Sequence, residues 1–152
     1  GIPGNGLSQA RSLMSTGQAF EDSIGRGRYA LVLSLVENKR TDFSKDIAAF
    51  AAPDVASSKG KFVSIFPPGT ALFLTPFYTL GSFFGLGQLA TQAGIIVLAL
   101  LNGIMLYLLA KKLDIHPTLA VLTPIFFLLT SNALVYTSVL AQHQLSTLLL
   151  LS

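Results

Sequence analysis

Along this chain polar and apolar positions fall into long blocks. Residues 1–25 are rich in Gly, Ser and Gln with little periodicity, which predicts loop with room for a short helix. The run from Tyr29 to Val36 is apolar for about two turns, far short of the roughly 20 residues a bilayer span requires. Flanked by Arg26, Arg28, Lys39 and Arg40, it reads as a short interfacial helix near 28–38. Residues 39–61 are polar and mobile in character, with Pro53 and a Ser57-Ser58-Lys59-Gly60 turn signal.

Residues 62–86 are apolar but broken. Pro67-Pro68-Gly69 and Pro76 interrupt a helix near its start and middle, because proline removes a backbone donor and clashes with the preceding turn. The segment reads as a Pro-interrupted interfacial or re-entrant helix, with a true span as the alternative. Residues 88–110 carry no charge and would extend about 34 Å as a helix, enough to span. A second transmembrane helix is predicted over 118–137, and a further one starts at 143–152 and is cut off there.

The paired Lys111-Lys112 beside the 88–110 span marks the cytoplasmic side. That span then runs inward and 118–137 returns outward. Residues 1–61 become a non-cytoplasmic polar loop, provided that 62–86 does not cross. The fold class expected is all-α: a polytopic membrane helical bundle with a non-cytoplasmic loop carrying short interfacial helices.

Charge sharpens this picture. Of 17 charged side chains, 14 fall before Phe62 and three, Lys111, Lys112 and Asp114, after it. Charged residues make up 11% of the chain, against roughly 25% in a soluble domain. A stretch so poor in charge cannot cover itself against water, which disfavours a soluble single domain. The net charge of +3 is too small and too divided to argue for nucleic acid. There is no cysteine, hence no disulfide and no thiolate metal site. Because the chain opens on Gly1 and ends inside an apolar run, it is expected to be a piece of a longer protein.

Several short motifs occur in a telling order. Asp22-Ser23 is followed by Arg26 and Arg28, then by the YALVLSLVE run. Pro53-Asp54 and a Gly-Lys-Phe-x-Ser-x-x-Pro-Pro-Gly stretch (60–69) come next. Pro76-Phe77-Tyr78 and Tyr136-Thr137-Ser138 with His143 complete the series. The chain resembles, over roughly residues 20–152, the N-terminal part of a C-type integral-membrane glycosyltransferase. The family-39-like proteins, related to protein O-mannosyltransferases and lipid A aminoarabinose transferases, are the group it is most similar to.

That resemblance implies an enzyme of the cell membrane of a bacterium or archaeon. It would move a sugar from a polyprenyl-phosphate-linked donor to a lipid, protein or glycan acceptor at the non-cytoplasmic face. Its partners would be that donor, the acceptor and membrane lipids. A first span and a C-terminal half would lie outside this chain, and the fragment alone would be inactive. The alternative is a non-enzymatic polytopic membrane protein, such as a transporter or assembly subunit, with the polar region as a partner-binding loop.

The chemistry needs a carboxylate to take the acceptor proton and positive groups to stabilise the leaving phosphate. Asp22 and Glu21 are the catalytic candidates, Asp22 standing where the family's loop acid would fall. As a bare residue Asp22 is equally a helix-capping or solvated loop acid, and Asp42, Asp46 and Asp54 are alternative carboxylates. Arg26, Arg28 and Lys61 are candidates for the donor phosphate, Arg being suited to bidentate contact. A basic fringe touching anionic lipid is the competing reading, strongest for Lys59 and Lys61.

His143 is an ionisable group near the outer membrane boundary and a further substrate-binding candidate; a structural histidine is the bland alternative. No cofactor is predicted. A divalent metal is not arguable from these residues, although the acidic loop and His143 are the ligands it would use. Asn102 and Gln92 read as interhelical hydrogen-bonding groups.

Overall fold

The computed structural model describes residues 6–15, 22–130, 133–138, 140 and 142–152. The chain forms two compact units, Gly1–Thr91 and Gln92–Ser152. It is mostly helical, with one small sheet.

The first unit is built around helix α2 (Ser23–Glu37), packed chiefly against α4 (Gly69–Ser82) and α3 (Lys45–Ala51), with α1 (Gly6–Ser15) alongside. α2 starts five residues before the expected 28–38 helix, and Gly25 and every residue from Gly27 to Ser34 are buried. A helix apolar on all sides is a core helix, and here the small unit closes around it rather than leaving one face to lipid. Tyr29, 1% exposed, meets the Phe50 ring at 6.5 Å and the Tyr78 ring at 5.8 Å, both edge to face. Leu33, Leu74 and Tyr78 complete this core. Each such side chain contributes about 1.5–3 kcal/mol by leaving water.

The expectation of an all-α fold needs a correction in residues 39–64. Strands β1 (Asp42–Phe43), β2 (Val55–Ser58) and β3 (Lys61–Ser64) make an antiparallel sheet of order β1-β3-β2. The predicted turn closes the β2–β3 hairpin, with Ser58 opposite Lys61. Its central residues, Lys59 and Gly60, have φ of 50° and 74°, as a type I′ turn requires. The strands are too short and too polar to announce themselves by alternation. What orders them is tertiary: the Ser34 hydroxyl on α2 donates to the Asp42 carbonyl at 2.6 Å and ties β1 to the core helix.

Pro76 lies inside α4 without ending it, contrary to the expected break. Thr75 and Thr79 donate their hydroxyls to the carbonyls of Ala71 and Thr75 at 2.9 and 2.8 Å, sharing acceptors along the helix. Pro68 is the N-cap, where the missing N–H costs nothing. α4 buries Thr70, Ala71, Leu74, Tyr78, Gly81 and Ser82 and exposes Leu72, Pro76 and Leu80.

Helix α5 (Gly87–Lys112) begins in the first unit and continues through the second. Among the described residues it is the one helix long and apolar enough to cross a membrane. Leu89, Ile96, Leu100, Ile104 and Leu108 are exposed along it. Helices α6 (Pro117–Thr130) and α7 (Ala133–Ser138) fall on the 118–137 segment, of which residues 131 and 132 lie outside those described. α8 (His143–Leu151) closes the chain.

Within the second unit Asn102 binds α5 to α8. Its fully buried amide donates to the Gln144 carbonyl and to Gln144 Oε1, both at 2.8 Å, and Gln144 Nε2 donates to the Ala133 carbonyl at 2.9 Å. The interhelical role read for Asn102 is thus seen directly.

Candidate functional site

The polar side chains of the first unit gather where α2 begins. Asp22 is the N-cap, in extended backbone, and Gly25 N–H donates to its Oδ2 at 2.6 Å. The cap leaves the residue exposed. One carboxylate therefore both starts the helix and faces outward.

Arg26 and Arg28 follow on the next turn. Arg26 donates through Nη2 to the Ala52 carbonyl at 3.0 Å, reaching the turn between α3 and β2. Arg28 is 7% exposed and its guanidinium lies 4.8 Å from the Phe66 ring centroid. Burial lowers the Arg28 pKa from its ordinary value, and the negative charge of Asp22 acts in the opposite sense. An Arg guanidinium lowered in this way still remains charged at neutral pH.

Asp54 enters the same neighbourhood from the β2 side. A Cβ placed on Gly27 would meet the Asp54 Cβ at 3.5 Å and the Phe66 ring at 2.6 Å. Glycine at 27 is what lets the loop and the ring approach α2 so closely. Asp54 Oδ2 and Arg26 Nε are both buried without a hydrogen-bond partner.

The remaining candidates are placed elsewhere or not described. Glu21 lies outside the described residues. Lys61 is on β3, 4.0 Å from Asp42 Oδ2, in an ion pair that Arg40 Nε joins at 2.9 Å from Oδ1. That group sits at the β1–β3 edge, and no described contact joins Lys61 to Asp22, Arg26 or Arg28. The hydrogen bond from Arg40 holds the Asp42 carboxyl below its ordinary value, so Asp42 is an anchored anion and a poor base. Asp46 is exposed in the first turn of α3. His143 opens α8 in the second unit, exposed, its ring 4.4 Å from that of Tyr136. Among the described residues no group of three His, Cys, Asp or Glu side chains is placed to hold a metal ion.

A second polar cluster escaped the sequence reading. Glu37, at the end of α2, accepts from the Tyr78 hydroxyl and from Gly6 N–H at 3.1 Å. Burial raises the Tyr29 and Tyr78 pKa values, with Glu37 adding to both. The cluster fastens α1 and α4 to α2. Its partners lie 31 and 41 residues from Glu37 in sequence, so no local pattern could signal it. Phe66 was missed for a similar reason, since an aromatic before Pro67 reads as filler until Arg28 is seen beneath it.

No family model, curated protein or solved structure matches the chain.

Proposed function

We propose that this chain belongs to an integral-membrane glycosyltransferase that uses a polyprenyl-phosphate-linked sugar. The observation carrying the reading is the convergence of Asp22, Arg26 and Arg28 on the first turns of one helix. An exposed carboxylate and positive charge are the two parts that such a transfer requires.

In this scheme Asp22 takes the proton of the acceptor hydroxyl. The acceptor oxygen bonds to the anomeric carbon as the bond from that carbon to the phosphate oxygen breaks. The electron pair leaves with the polyprenyl phosphate, whose charge Arg26 meets directly and Arg28 supports from below. Lys61, engaged with Asp42, has no part in this.

The membrane setting belongs to the same proposal. α5 crosses from outside to inside with Lys111 and Lys112 at the cytoplasmic face, and the apolar helices after it belong to a polytopic bundle. The first unit then sits at the non-cytoplasmic surface of the cell membrane.

The test is transfer itself. Full-length protein in proteoliposomes is given polyprenyl phosphates bearing a panel of labelled hexoses and pentoses, with membrane extract as acceptor source. Release of bare carrier together with label in an acceptor fraction is expected for at least one sugar. Failure across the panel would remove the enzyme reading and leave the non-enzymatic one.

A further inference from the structure

Helix α4 has two unlike faces. One packs on α2, and the other turns Leu72, Pro76 and Leu80 outward in a stripe at helical spacing. The turn after α4 continues this surface: Phe83 and Phe84 are 66% and 80% exposed, and Leu86 and Leu89 lie open beyond them. No charged residue occurs between Lys61 and Lys111. A contiguous exposed apolar patch of this kind marks a surface made to be covered.

The polar groups on this surface point to what covers it, because they are already used within the chain. Thr75, Thr79 and Ser82 donate their hydroxyls to the carbonyls of Ala71, Thr75 and Thr79 at 2.9, 2.8 and 2.7 Å. In the turn, the N–H groups of Phe84 and Leu86 donate to the Gly81 carbonyl at 3.1 and 2.8 Å. Gly85 N–H donates to the Ser82 carbonyl at 3.2 Å, with φ at 72°. A protein partner would be met with hydrogen bonds across the interface. Hydrocarbon offers none, so a chain entering it must satisfy its own donors. The patch also ends on Leu89, in the first turn of α5, the helix long and apolar enough to cross a membrane.

We propose that the Leu72–Pro76–Leu80 stripe and the Phe83–Leu86 turn are seated in the bilayer, at the boundary of headgroups and acyl chains. This rests on the membrane setting proposed above and deepens it, naming the surface by which the first unit sits on lipid. α4 itself does not cross: its 14 residues extend about 21 Å, against roughly 30 Å of hydrocarbon. Its second face is engaged with α2, so only the stripe and the turn enter, to about 5–10 Å.

The experiment reads depth directly. Full-length protein freed of other cysteines carries a nitroxide at Leu80→Cys, Phe84→Cys, Leu100→Cys or Lys59→Cys and is placed in liposomes. All four positions are exposed, so the label displaces no packed side chain. Collisions with oxygen, which concentrates in hydrocarbon, are compared with those of a water-soluble nickel chelate. Oxygen should dominate several-fold at Leu80 and Phe84, and the chelate should dominate at Lys59. Chelate dominance at either Leu80 or Phe84 overturns the lipid seat. So does an immobile nitroxide shielded from both reagents, the mark of a protein cover. Leu100, on α5, tells the two failures apart. If it is shielded from the chelate, the membrane setting stands and the seat alone falls; if it is open to the chelate, both fall.

Discussion

The Arg28 guanidinium rests 4.8 Å from the centre of the Phe66 ring, so a buried cation on α2 is held against the loop that leads into α4. The ring can lie there because residue 27 has no side chain: a Cβ at that position would come within 2.6 Å of it. Two effects compete in Gly27→Ala. Helix propensity favours alanine by about 1 kcal/mol, whereas overpacking a fitted contact costs roughly 1–3 kcal/mol. With the ring held by Arg28, the steric term wins. Gly27→Ala should therefore destabilise the detergent-solubilised protein by about 1 kcal/mol in thermal unfolding. A stabilised variant would show that the Phe66 ring moves aside freely.

The Asn102–Gln144 contact invites a second substitution. Asn102→Ala removes both amide donations and leaves the Gln144 carbonyl and Oε1 without them. Polar contacts between apolar helices contribute about 0.6–2 kcal/mol. The variant should unfold more easily by about 1 kcal/mol, and hydrogen exchange should rise in α8 before it rises in α2.

Much of the helical framework could be read from the chain, and the reason is block patterning. Residues 88–110 are uncharged and unbroken, and α5 contains them. Asn102, the polar residue at the centre of that block, had few roles open to it other than a partner on another helix. The small sheet was hidden because β1 has two residues and the strands β2 and β3 have four each, too few for alternation to stand out. The burial of α2 was hidden too, since flanking arginines look alike whether a helix lies on lipid or begins a core. Arg28 decides it, because its charge is covered by the Phe66 ring rather than solvated.

At the sheet edge, pH supplies a third expectation. Arg40 holds the Asp42 carboxyl below its ordinary value. A carboxylate lowered in the native state adds stability that is present above its unfolded value and is lost as pH falls through the native one. Asp42→Asn should thus be less stable than wild type at neutral pH, and the difference should vanish in acid. Because Arg40 is exposed, the effect will be small and weakened by salt. Thermal unfolding from neutral pH downward at two salt concentrations checks it, and a difference that grows in acid would reverse the assignment.

Topology gives a fourth. Ser23 is the first residue of α2 and is partly exposed. In cells expressing the Ser23→Cys protein, a membrane-impermeant thiol reagent added outside should label it above the level of the unsubstituted protein, residues 1–152 themselves holding no cysteine. Labelling that requires permeabilised cells would put the first unit on the cytoplasmic side.

The central claim is that Asp22 acts as the base and does not merely cap α2, and one substitution separates the two roles. Asparagine caps a helix about as well as aspartate but cannot take up the acceptor proton. Asp22→Asn, introduced into the full-length protein and assayed for the proposed sugar transfer from a polyprenyl-phosphate-linked donor, should keep wild-type unfolding behaviour and lose activity by at least about 100-fold. Transfer at the wild-type rate by a normally folded Asp22→Asn protein would contradict the account and leave Asp22 as a helix cap alone.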